Sequence, residues 1–202
     1  MFKKTVIIIL GLFAIPLVSA KTLLIVGDSI SAGFGIEQGK GWVALLEQRL
    51  QAQHYNYQVV NASISGDTTS NGLTRMPALL AEFKPAVVLI ELGGNDGLRA
   101  IPPKQIQQNL SAMVELAKRA KAEVLLIGIE LPPNYGNQYL EKFIAVFPAV
   151  AKEQQVELVP SIVANTGGNS ELMQADGLHP NTKAQPIVLE DVWKQLVALL
   201  IK

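Results

Sequence analysis

Short aliphatic runs recur along the chain, each followed by glycine or small polar residues and then by apolar positions at helical spacing. Leu23-Leu24-Ile25-Val26 ends in Gly27-Asp28-Ser29. Gln58-Val59-Val60-Asn61 ends in Ala62-Ser63-Ile64-Ser65-Gly66-Asp67, and Ala86 to Leu92 ends in Gly93-Gly94-Asn95-Asp96-Gly97. Val124 to Ile129 runs into a loop from Leu131 to Gly136, and Val156 to Val159 closes the series. Unbroken aliphatic runs of this length predict strands buried on both faces. Between them, apolar residues at helical spacing predict helices over Gly41 to Leu50, Ser70 to Phe83, Lys104 to Lys121 and Gln138 to Gln155, with a closing helix over Ala184 to Ile201. Pro148 should kink or break the fourth of these. Ser161 to Pro180 carries no clear period.

Five strands alternating with helices through short loops imply right-handed crossovers and a parallel sheet covered on both faces. The fold class is therefore α/β, a three-layer α/β/α sandwich. Every strand-to-helix loop in such a sheet opens on one edge, where open sheets bind ligands. The polar turns after the strands must converge there.

The first twenty residues form a separate physical class. Lys3 and Lys4 precede an apolar run from Val6 to Val18, and Val18-Ser19-Ala20 supplies a small-residue cleavage site. This is the pattern of a secretory signal peptide over residues 1–20, cleaved near Ala20, leaving one domain over 21–202 in the periplasm or outside the cell. The run is shorter than the roughly 20 residues a membrane span needs, and Pro16 would break its end. No stable membrane anchor is expected, an uncleaved anchor being the alternative.

Composition narrows the function classes further. The chain has 17 basic and 17 acidic side chains; removal of Lys3 and Lys4 with the leader leaves 15 against 17, a formal charge of −2. No basic excess points to nucleic acid as a partner. With no cysteine, a thiol nucleophile, a disulfide framework and a thiolate metal site are all excluded, and two histidines leave little for any other metal. No cofactor is expected, and a monomer is.

Asp176-Gly177-Leu178-His179-Pro180 brings a carboxylate and an imidazole within three residues. A carboxylate accepting from Nδ1 fixes the tautomer and leaves Nε2 free to take a proton from a hydroxyl, which Ser29 would supply. An oxyanion formed by such a serine needs preorganised donors. The backbone N–H groups of Ser29 and Gly66 and the side-chain amide of Asn95 come from three neighbouring strand ends. Each residue also has an ordinary reading: Asp28 or Ser29 as a helix cap, Gly66 and Asp176 as turn residues, Asn95 as a cap, His179 as a helix-entry residue. His54, in a polar run, reads as a solvated bystander.

Gly27-Asp28-Ser29, Gly66, Gly93-Gly94-Asn95-Asp96 and Asp176-Gly177-Leu178-His179, in that order, resemble the SGNH (GDSL-like) hydrolases, and the resemblance spans essentially all of residues 21–202. Asn61 to Thr68, Glu91 to Arg99, and Leu131-Pro132 through Asn134-Tyr135-Gly136 are similar to the periplasmic thioesterase, lysophospholipase and arylesterase branch of that family. The resemblance implies a flavodoxin-like sheet of order 2-1-3-4-5, Ser29 as nucleophile, Gly66 and Asn95 as oxyanion donors, Asp176 as orienting group and His179 as base. Ile30 stands where the family name has leucine, and Phe34 to Lys40 and Gln51 to Tyr57 match less well.

The substrate expected is a small-molecule acyl ester or thioester, lysophospholipid included. Ile64, Leu73, Met76, Leu79, Leu80, Leu131 and Leu178 lie near the site in sequence and could line an acyl groove, although several of them could equally be core. Thr69 to Leu80, with Pro77 inside a helical pattern, is expected to form a movable wall of that groove, or else a rigid covering helix. A carbohydrate O-acetyl esterase is the rival enzyme reading, and a binding module with a decayed site the non-enzymatic one.

Overall fold

A computed structural model describes residues 19–200; the signal-peptide reading falls mostly on residues 1–18, outside the described ones. Five parallel strands form the sheet: β1 (Lys21–Gly27), β2 (Tyr57–Asn61), β3 (Val87–Glu91), β4 (Glu123–Ile127) and β5 (Glu157–Val159). Their order is β2-β1-β3-β4-β5. The chain fills one side of β1 and then crosses to the other, so the switch point lies between the C-terminal ends of β1 and β3.

Alternation along each strand decides which layer it feeds. Leu24 and Val26 of β1, Val88 and Ile90 of β3, and Val124 and Leu126 of β4 face one core. Leu23, Ile25, Val87, Leu89, Leu125 and Ile127 face the other. With both faces covered, an aliphatic residue pays no penalty at any position, which is why these strands read as unbroken runs.

On the first face lie α3 (Thr69–Phe83), α5 (Pro103–Arg119), α6 (Asn137–Ile144) and α7 (Val146–Gln154); on the second lie α2 (Trp42–Ala52) and α8 (Gln185–Leu196). The helix expected over 138–155 is two helices broken at Ala145. Pro148 has no N–H to bond the carbonyl of Ile144, four residues back, so the ladder fails there. The closing helix ends at Leu196 and is flanked by single 3-10 turns at Thr182–Ala184 and Val197–Leu199. Two loops hold short helices that strand and turn patterns do not announce: α1 (Ser29–Ala32) after β1 and α4 (Gly94–Leu98) after β3. No helix among the described residues is long and apolar enough to cross a membrane.

Candidate active site

Ser29 is the first residue of α1, directly beyond the switch-point end of β1. Asp28 caps that helix, its Oδ1 accepting from the Ile30 N–H at 3.1 Å. The cap is therefore supplied by Asp28, which binds the backbone, and the Ser29 hydroxyl is left free of that role. Ser29 Oγ lies 2.8 Å from His179 Nε2, across 150 residues of sequence. His179 Nδ1 lies 2.7 Å from Asp176 Oδ2. A carboxylate can only accept, so Nδ1 carries the proton, Nε2 is the acceptor, and the Ser29 hydroxyl donates to it.

The Asp176 to His179 turn is closed by the same carboxylate, whose Oδ1 accepts from the N–H groups of Leu178 at 2.9 Å and His179 at 3.1 Å. Gly177 sits in it at φ +68°, where a side chain would be strained. Desolvation pushes the Asp176 carboxyl up, but the bonds from the His179 ring and from these two N–H groups outweigh it and hold the group below the usual range. It is thus a fixed anion beside the imidazole.

Ser29, Gly66, Asn95 and His179 line one cavity of about 310 Å³. The residues expected to supply oxyanion donors thus share one cavity with the hydroxyl. Asn95 is more tightly engaged than its sequence context suggests, since Nδ2 donates to Asp28 Oδ2 at 3.1 Å and to the Asp67 carbonyl at 3.0 Å. Both amide protons are held in place, so a reacting oxygen would have to share one of them.

Behind the site lies a polar layer that the motifs did not single out. Glu91 ends β3 fully buried, its Oε2 accepting from Ser31 Oγ at 2.6 Å and from the Asp28 N–H at 3.4 Å. Arg75 of α3 bonds Asp67 Oδ2 at 2.9 Å and also reaches the carbonyls of Ala62 and Gly27, joining the loops after β1 and β2. A charged residue closing an aliphatic strand was the one available signal for Glu91. Arg75, on a helix face, had none.

Burial pushes the Asp28 carboxyl up to about 6, against the pull of the Ile30 N–H, His179 and Asn95. Burial likewise raises Glu91 well above the usual range, and the Asp28 charge adds to it. Both groups bind a proton more tightly folded than unfolded, so their carboxylate forms subtract stability. For Asp28 that loss is complete above pH 6 and is relieved as pH falls from 6 towards the ordinary value of 3.8. Asp176 behaves oppositely: its contribution is present above the ordinary carboxylate value and disappears as pH falls through its lowered one. Thermal unfolding followed from pH 8 to pH 4 should therefore show Tm rising as pH falls through 6 towards 3.8, the loss from Asp176 setting in only below that range. A steady fall from pH 8 downward would contradict the burial of ionisable Asp28 and Glu91.

Of the expected groove residues, Leu131 and Leu178 line the cavity. Ile64 is half exposed on the loop beside it and is not among the lining residues. Leu73, Met76, Leu79 and Leu80 are placed otherwise: Met76 is fully buried, and all four pack in the core between α3 and the sheet. The start of α3 is also locked, with Thr68 and Asn71 forming a capping box and Asp96 accepting from both the N–H and the hydroxyl of Thr69. Thr69 to Leu80 is thus placed as a covering helix whose apolar stripe packs on the sheet and not on the cavity. The rest of the cavity's apolar lining comes from Ile30 and Leu98, on helices of four and five residues too short to show a period, and from Phe34, Ile129 and Pro132 on loops.

Residues 25–186 match the model of the GDSL-like lipase/acylhydrolase family. Esterase TesA of Pseudomonas aeruginosa is 57% identical over 182 residues, covering 90% of each chain. Thioesterase 1/protease 1/lysophospholipase L1 of Escherichia coli K12 is 47% identical over 182 residues, covering 90% of this chain and 86% of its own. The crystal structure of the psychrotrophic esterase EstA from Pseudoalteromonas sp., inhibited by monoethylphosphonate, superposes with a TM-score of 0.84 at 41% identity, covering 88% of this chain and 97% of its own. Motif order, sheet order and these likenesses agree, and the chain belongs to the GDSL-like lipase/acylhydrolase family.

Proposed function

We propose that this protein is a serine hydrolase of carboxylic esters and thioesters of fatty acyl groups, working through an acyl-Ser29 intermediate. The observation that carries the reading is the unbroken line Ser29 Oγ, His179 Nε2, His179 Nδ1, Asp176 Oδ2 at the edge of a cavity walled by aliphatic side chains. As Ser29 Oγ attacks the acyl carbon, its proton passes to Nε2, and Asp176 stabilises the imidazolium. The oxyanion is received by the N–H groups of Ser29 and Gly66 and by the Asn95 amide. Collapse breaks the bond to the alkoxide or thiolate, which takes the proton from Nε2. Water then attacks the acyl-serine with His179 again as base, releasing the acid and restoring the hydroxyl.

Thioester and lysophospholipid substrates are supported by the name of the Escherichia coli relative, and simple esters by that of the Pseudomonas one. Export is supported by the leader-like residues 1–20, and action as a monomer by a site assembled within one chain.

Hydrolysis of p-nitrophenyl esters from acetyl to palmitoyl tests the proposal. Each buried methylene is worth about 0.8 kcal/mol, so kcat/KM should rise about fourfold per methylene until the cavity is full. Leu178→Ala should remove about tenfold of kcat/KM for octanoate and little for acetate. Acetate as the best substrate would favour the short-pocket O-acetyl esterase, and no turnover of any ester would leave a binding module.

A further inference from the structure

Asp176 and His179 are three residues apart and are held together by a single turn, so one loop carries them as a unit. The contact with Ser29 is different in kind: it depends on how that loop is seated against the loop after β1. The seat is made by two glutamines. Gln174 donates its backbone N–H to the His179 carbonyl at 2.8 Å, and its Nε2 to the Phe34 carbonyl at 2.8 Å and the Pro180 carbonyl at 3.3 Å. Phe34 N–H in turn donates to the Ser29 carbonyl at 2.9 Å. A hydrogen-bonded path thus runs from the peptide of Ser29 to the peptide of His179 without passing through either side chain.

From the other side Gln185, buried at the start of α8, accepts from the Trp42 N–H at 2.9 Å and donates to the carbonyls of Pro180 and Asn181, both at 3.2 Å. The Pro180 carbonyl, next to the imidazole residue, receives both amides. Gln174 lies close against the loop after β1, where a Cβ on Gly35 would press on its amide.

We propose that Gln174 is a positioning residue for the hydrolytic reaction, which ties the loop of the base to the loop of the nucleophile and so sets the distance from Ser29 Oγ to His179 Nε2. The proposal rests on the reading of Ser29 and His179 given above. An amide suits the position because it donates without charge. A lysine there would oppose the imidazolium formed in each half-reaction, and a glutamate could not donate to two carbonyls.

Gln174→Met keeps the volume and removes both side-chain donors. Gln174 is only half buried, so no core cavity is opened. The expected result is a fall in kcat of about 10- to 100-fold, the scale of a misplacement near 1 Å, with KM unchanged. The rate at which a p-nitrophenyl alkylphosphonate labels Ser29 should fall by the same factor. The Asp176 pairing should survive, so the downfield proton resonance of the hydrogen-bonded His179 Nδ1–H should persist in the variant. Gln174→Glu, which is isosteric and polar, should show the same loss and covers the case in which the methionine variant does not fold. Wild-type kcat in either folded variant would overturn the proposal, as would a kcat loss accompanied by loss of the His179 Nδ1–H resonance, which marks a loop that has merely come apart. Failure of the phosphonate to label Ser29 in the unaltered protein would instead remove the reading of Ser29 on which the proposal stands.

Discussion

Ser29→Ala should lower kcat for ester hydrolysis by on the order of 10⁴- to 10⁶-fold while leaving Tm within a few degrees of the parent, the size of effect seen when a nucleophile is deleted from a working triad. The fold should be spared, because among the described residues the Ser29 hydroxyl is hydrogen-bonded to His179 alone, and α1 is capped by Asp28 rather than by Ser29. His179→Ala should be comparably severe, since without Nε2 the hydroxyl has no acceptor for its proton. Serine and base act as one unit, so the double variant should be no slower than the worse single one. The decisive measurement is kcat for the two single variants and the double on one substrate. Multiplying losses would show that Ser29 and His179 do separate jobs, and turnover near the parent rate in Ser29→Ala would move the nucleophile elsewhere.

Asn95→Ala should cost about 10²- to 10³-fold in kcat with KM nearly constant, as expected of a donor engaged mainly in the transition state. A second loss distinguishes this variant from the first. Asn95 Nδ2 also serves Asp28 Oδ2 and the Asp67 carbonyl, so its removal leaves a buried carboxylate and a carbonyl short of a partner. Such an orphaned group costs about 1 to 3 kcal/mol, and Tm should drop accordingly. Asn95→Asp should be worse on both counts, because it sets a second carboxylate against Asp28. Steady-state kinetics and thermal unfolding of the same preparations check both halves. A defect confined to KM would make Asn95 a contact to bound substrate and not an oxyanion donor.

The amino-acid sequence by itself determined the architecture and pointed to the polar residues that the topology brings together at one edge of the sheet. Aliphatic runs buried on both faces, glycine-rich exits and apolar helical spacing are local properties, and they specify a parallel α/β sheet whatever the loops do. Ser29, Gly66, Asn95, Asp176 and His179 were readable because each sits in a short turn of distinctive composition at a strand end or before a helix, and the topology forces strand ends onto one edge. The break near Pro148 was readable for the same reason, a missing donor being a property of one residue.

Only the tertiary structure decided which aliphatic side chains face substrate and which face the core. Leu73 and Met76 on one side and Leu131 and Leu178 on the other are the same kind of residue at similar distances from the motifs. Helix rotation on the sheet turned the first pair to the core, and loop paths brought the second pair to the cavity. The supporting polar groups were hidden likewise. Glu91, Arg75, Gln174 and Gln185 carry no motif of their own, because their roles lie in bonds to partners far along the chain, and such pairings exist only once the layers have packed.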